Sequence, residues 1–85
     1  MNIRLQGAEA GPVYAQVRTQ IETLIQNREV RSGEPLPSPA VLAQQLSVDR
    51  GEIQRAYFEL EQSGLVLKKT GKDFLGNSKV SYTVK

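Results

Sequence analysis

The chain has 85 residues, no cysteine and no histidine, and a formal net charge of +2. That length supports one small domain with one core and a modest stability margin. The missing residue types exclude disulfide staples and thiolate metal sites, and they remove the commonest metal ligand and the commonest general base at neutral pH. No Asp/Glu cluster stands at ligand spacing, so no metal or cofactor is expected, and no nucleophile–base pair or phosphate loop suggests an enzyme. No apolar run approaches the roughly 20 residues of a membrane span, and the opening MNIRLQGAEA lacks an apolar signal core. A soluble cytoplasmic protein is the expectation, with no small-molecule site visible.

In residues 1–11, Ile3 and Leu5 alternate and then give way to the loose GAEAG, which reads as a short strand or a flexible arm. Pro12 opens a first helix over about 12–28. Its apolar positions Val13, Val17, Ile21, Leu24 and Ile25 recur in steps of three and four. Asn27 stands where a left-handed C-terminal residue could end it. Gly33, Pro35 and Pro37 then exclude helix. Their segment is a connector with a short extended piece near Leu36, which plugs the core.

Ser38 before Pro39 places an N-cap residue directly ahead of a first-turn proline. The second helix spans about 39–46, with Leu42, Ala43 and Leu46 on its inner face. Ser47-Val48 leaves room for a turn of only a few residues. Asp49, three residues before Glu52, resembles a capping box at the start of a third helix over about 50–63. Ile53, Ala56, Tyr57 and Leu60 follow the helical rule, and Gly64 suits a left-handed cap. Beyond it the period changes. Leu65, Val66 and Leu67 are strand-like, a Lys/Gly-rich stretch follows, and Val80, Tyr82 and Val84 alternate with polar residues. Residues 65–84 therefore form a β-hairpin with a loop near 71–79.

Two helices joined so tightly make a helix-turn-helix. Three helices followed by a hairpin make the fold mainly α with a small β-hairpin, a three-helix winged helix-turn-helix occupying residues 12–85. Charge follows the same division. Residues 1–63 carry six Arg and eight acids, whereas residues 64–85 carry all five Lys and only Asp73. A basic hairpin behind an acidic helical body suggests an anionic partner.

The motifs also resemble a known family. Pro12-Val13-Tyr14-Ala15-Gln16-Val17, Gly33-Glu34-Pro35-Leu36-Pro37-Ser38, Leu42-Ala43 with Leu46, and Arg55-Ala56-Tyr57 with Leu60-Glu61 and Gly64-Leu65 resemble the conserved segments of the GntR-type bacterial transcription regulators. The resemblance covers about residues 12–74. It implies a winged-helix DNA-binding domain whose relatives act as dimers on operators, with a further effector or dimerisation segment after the wing. Several DNA-facing positions depart from the pattern. Pro39-Ala40 stands for the family's Glu-Arg, and Gly51-Glu52-Ile53-Gln54 for Thr/Asn-Thr-Val-Arg. Gly71-Lys72-Asp73-Phe74-Leu75 stands for Gly-x-Gly-Thr-Phe-Val.

Candidate DNA-binding residues follow. Arg50 points outward in the first turn of the third helix, where a positive charge opposes the macrodipole and so has a weak structural motive; it suits a phosphate or a guanine edge. Gln54 lies one turn on and can pair with adenine. Arg55 either clamps phosphate or pairs with Glu59 at i+4. Gly51 permits close backbone approach. Ser38 caps its helix, whose free N–H groups suit a phosphate. Lys68, Lys69 and Lys72 converge near the hairpin tip and neutralise backbone charge. Phe58 falls off the core stripe, as packing against the wing or first helix or as a protein interface. The leading expectation is sequence-specific binding of double-stranded DNA by a transcriptional regulator. It would act as a homodimer on a two-fold operator or as part of a longer regulator, with residues 50–62 in the major groove. The alternative is a winged helix turned protein-interaction module, motivated by Ala40, Gly51, Glu52 and Asp73.

Overall fold

Each apolar-periodic segment forms its helix. The computed structural model covers residues 1–85. It has α1 at Val13–Gln26, α2 at Pro39–Leu46 and α3 at Arg50–Gln62, then β1 at Val66–Lys72 and β2 at Ser78–Val84. The result is a three-helix winged helix-turn-helix.

The core is the sum of the helical stripes. Val17 and Ile21 of α1, Leu42 and Ala43 of α2, and Ile53, Ala56, Tyr57 and Leu60 of α3 are buried together with Leu36, Val66 and Val84. Burying each large side chain fully is worth roughly 1.5–3 kcal/mol. At eight residues, α2 is too short to persist alone, and its packing on α3 holds it. The Tyr57 ring meets Tyr82 edge-on at 4.9 Å between centroids. Its hydroxyl donates to the Pro37 carbonyl at 2.8 Å. One side chain of α3 thus ties the connector to the wing, and its burial pushes the phenol pKa up.

All three helices stop in the same way. A residue in the left-handed region follows each one: Arg28 (φ 60), Ser47 (φ 56) and Gly64 (φ 78). The next amide then bonds five residues back, Glu29 N–H to Leu24 O, Val48 N–H to Ala43 O and Leu65 N–H to Leu60 O. These are Schellman closures, which satisfy carbonyls at the helix ends. The first helix therefore ends two residues short of the expected Arg28. Its left-handed residue is Arg28 rather than Asn27, which keeps φ −84.

Two other expectations are corrected. Residues 1–11 are neither a strand nor a loose arm. Ile3 is buried, and the backbone is held by two amide side chains of α1. The Gln20 amide accepts from Arg4 N–H at 2.9 Å and donates to Arg4 O at 2.6 Å. The buried Gln16 accepts from Gln6 N–H at 2.7 Å and donates to Gly11 O at 2.8 Å. These side chains do for the segment what a neighbouring strand would have done. The wing loop is also shorter than 71–79, because pairing continues to Lys72↔Ser78 and leaves residues 73–77 as the turn.

β1 and β2 run antiparallel, from Val66↔Val84 at the root to that last pair. The connector closes the other edge of β2. Pro35 bridges Thr83, Leu36 N–H donates to Tyr82 O at 2.9 Å, and Gly33 N–H donates to Val84 O at 2.7 Å. Pro35 lacks an N–H and sits in an edge segment, where none is required.

Candidate nucleic-acid interface

The surface around the helix-turn-helix is built by three segments that meet. Ser38 Oγ accepts from Val41 N–H at 3.2 Å and fixes the first turn of α2. Asp49 Oδ1 accepts from Gly51 N–H at 2.8 Å and fixes the first turn of α3. The root of the wing supplies the third wall. Between them lies an open cleft of about 300 Å³ lined by Ser38, Ala40, Arg50, Gln54, Lys68 and Val80, among others. Two cations and one side-chain amide line it together with the start of α2, where Pro39 has no N–H, Val41 N–H is taken by Ser38 and only Ala40 keeps a free amide. Tyr82 lines it from the wing side.

The predicted residues divide among several surfaces. Ser38, Arg50, Gln54 and Lys68 come together in the cleft. Gly51 and Arg55 do not; with Asp49 and Glu52 they line a separate depression on the other flank of α3. The hairpin register separates the lysines, since paired residues share a face and alternate residues change it. Lys68 (opposite Tyr82) and Lys72 (opposite Ser78) share the face that continues from the buried Val66 and Val84. Lys69 (opposite Ser81) lies on the other face, as does Lys79 (opposite Gly71). The three lysines therefore do not gather at one place: Lys68 lines the cleft, whereas Lys69 and Lys72 border a depression further out with Lys79. Lys79 and Val80 were not singled out as candidates from the sequence; the alternation of the second strand was the signal that could have placed them.

The capping box is also corrected. Asp49 caps Gly51, but Glu52 does not reach back to it. Glu52 Oε2 instead accepts from Tyr14 N–H at 3.2 Å. The physical reason lies in α1, whose N-cap is Pro12, a residue with no side-chain acceptor. The carboxylate of α3 fills that need across the interface. Directly beside it, the Arg55 guanidinium lies 3.7 Å from the centre of the Tyr14 ring. Arg55 Nε also lies 3.5 Å from Glu59 Oε2. Glu59 in turn accepts from Arg18, and that hydrogen bond, followed by the charge of Arg18 and the contact with Arg55, holds its carboxyl below the usual range. Arg55 therefore does make the expected i+4 pair, while its side chain stays largely exposed on the flank of α3. Phe58 is 57 % exposed.

No group of three or more metal-ligating side chains is present, and no helix is long and apolar enough to cross a membrane.

Comparison with known proteins agrees with this geometry. The family described as "Bacterial regulatory proteins, gntR family" matches residues 13–75. The chain is 33% identical over 72 residues to the HTH-type transcriptional repressor NagR of Bacillus subtilis (strain 168), covering 85% of this chain and 29% of NagR. It thus spans less than a third of that relative. Among solved structures, YtrA from Sulfolobus acidocaldarius, a GntR-family transcription factor, superposes with a TM-score of 0.77 at 31% identity, over 99% of this chain and 78% of YtrA. AraR(DBD), crystallised in complex with operator ORX1, superposes with a TM-score of 0.72 at 26% identity, over 100% of this chain and 96% of that one.

Proposed function

We propose a function from one premise: the chain belongs to the gntR family of bacterial regulatory proteins. It is the sequence-specific DNA-binding domain of a transcriptional regulator. It acts in the cytoplasm on double-stranded operator DNA and performs no catalytic step. The observation that carries this is the cleft in which Arg50 and Gln54 of α3, the start of α2 and Lys68 of the wing face one space, in a fold that AraR(DBD) places on an operator.

In this role α3 enters the major groove. Arg50 takes a guanine edge or the adjoining phosphate, and Gln54 pairs with adenine. The Ala40 N–H, the one amide left free in the first turn of α2, takes a phosphate oxygen. Lys68 and Lys72 on one face of the wing, with Lys69 on the other, position the domain on the backbone without reading sequence. Arg55, held by Tyr14 and Glu59, meets a phosphate on the flank, where Gly51 lets the backbone approach. A module of this size buries little surface, so the functional unit is a homodimer on a two-fold operator, formed by a longer regulator.

The protein-interaction alternative loses three of its motives. Glu52 is occupied with α1. Ala40 lines the cleft without blocking it. The Asp73 carboxylate is engaged by two backbone amides of the wing turn.

In vitro selection from a randomised duplex pool, followed by binding isotherms, tests the function. The chain should enrich a common sequence, and Arg50→Ala should bind it roughly tenfold or more weakly, the loss of one bidentate contact. Absence of enrichment, or equal affinity for the enriched and a scrambled duplex, defeats the assignment.

A further inference from the structure

The wing turn presents two adjacent large apolar side chains to solvent. Phe74 is 96 % exposed and Leu75 71 % exposed. They are not held by a loose loop. Asp73 Oδ1 accepts from Leu75 N–H at 2.9 Å and from Asn77 N–H at 3.0 Å. Asp73 N–H donates to Asn77 O, and Gly76 N–H donates to Asp73 O, both at 3.0 Å. Gly76 supplies the left-handed residue (φ 84) that lets the turn close. Four hydrogen bonds thus fix a turn whose product is an outward-pointing Phe-Leu pair.

Resting on the DNA-binding function above, we propose that Phe74 and Leu75 form an apolar wedge that enters the minor groove beside the major groove occupied by α3 and opens a base step there. Phe and Leu are residue types that minor-groove proteins insert between bases. The reach fits. Lys68 lines the cleft with Arg50, and four strand steps of about 3.3 Å carry β1 about 13 Å further to Lys72, with the turn and the Phe74 side chain beyond it. Neighbouring major and minor grooves lie half a turn apart, about 17 Å for a turn of about 34 Å. The charge fits too. Lys69, Lys72 and Lys79 flank the strands leading to the turn and outnumber the hairpin's only acid, Asp73, whose Oδ1 is bonded to two amides of the turn. A protein partner for the pair would have to accept these cations, whereas the phosphates bordering a minor groove require them. Opening a step costs least at flexible pyrimidine–purine steps, so the wedge adds sequence preference at a position that no polar side chain reads.

The test uses Phe74→Ser/Leu75→Ser, which leaves every core residue in place; an unchanged melting temperature checks this. The probe is a duplex enriched by the wild-type chain from a random pool, with 2-aminopurine placed in turn at each step under the wing. The wild type should brighten the fluorophore at one step and bend the duplex. The double variant should lose both signals and bind about tenfold more weakly, with an unchanged salt slope because no lysine is altered. Equal fluorescence and bending by the variant overturns the wedge and leaves DNA reading intact. A change in self-association by sedimentation, with bending preserved, also overturns it and assigns the pair to a protein contact. If the wild-type chain enriches no duplex at all, DNA reading itself fails and the wedge falls with it.

Discussion

Glu52 belongs to α3 by sequence and to α1 by function. Its carboxylate accepts the Tyr14 amide that Pro12 leaves uncapped, and a negative charge at that end also complements the helix dipole. Replacing Glu52 with Ala should therefore cost about 1 kcal/mol, the usual worth of a lost N-cap, measured by urea unfolding. Glu52→Gln keeps an acceptor oxygen and should recover most of it. An Ala variant as stable as the wild type would show that the bond contributes nothing. The spacing of Asp49 and Glu52 suggested a local box, because sequence shows only neighbours. The competing acceptor demand lay 38 residues away at Tyr14. Arg50 and Gln54, by contrast, were legible from period alone, since an outward position on a short amphipathic helix depends only on where the apolar stripe lies. Arg55 was legible in part. Its i+4 partner Glu59 follows from helical spacing, whereas its stacking on Tyr14 depends on how α1 crosses α3.

At the level of elements, one closure recurs three times with unequal residues. Gly64 adopts φ 78 without a Cβ, and open space surrounds the place where one would stand. Gly64→Ala should thus cost about 1 kcal/mol through backbone conformation alone. Ser47 occupies the same region with a side chain. Ser47→Gly should stabilise by about 0.5 kcal/mol, the relief of left-handed strain less the added unfolded-state entropy. Thermal or urea melts of both variants check the pair, and shifts of the same sign would contradict it. This contrast also explains what the sequence disclosed. The stop at Gly64 was visible because glycine marks it. The turn at Ser47-Val48 was visible too, but the left-handed conformations of Arg28 and Ser47 were not, because packing imposes them. Val30 is buried just after the first and Val48 is half-buried directly after the second, and anchoring those residues turns the chain out of the helix. The segment before α1 was likewise opaque, since no local signal shows that Gln16 and Gln20 will satisfy a backbone 5 to 16 residues away.

For the whole molecule, charge and shape act together. The domain extends 44 Å in its longest direction against 26 and 21 Å in the others. All of its lysines lie in the last 22 residues, behind an acidic helical body. Binding to DNA should accordingly be governed by salt. Each phosphate neutralised adds about −0.9 to the slope of log affinity against log salt. Replacing Lys69, Lys72 and Lys79 together by Gln should flatten that slope by roughly 2.7 while leaving the preferred sequence unchanged; isotherms at several salt concentrations check it, and an unaltered slope would remove the wing from the backbone. The helical architecture was readable from composition and period, but the distribution of lysines over two faces needed the register. The root of the hairpin gives this arrangement its mechanical character. At residues 82–84 the second strand is bonded on one side to β1 and on the other to the connector that leads into α2. Beyond that level it has only β1. The wing is therefore a cantilever, clamped at its base to the same segment that aims the helix-turn-helix. A displacement of the clamp by a fraction of an ångström is magnified along the beam, so the alignment between the tip and α3 is set at the connector, away from both.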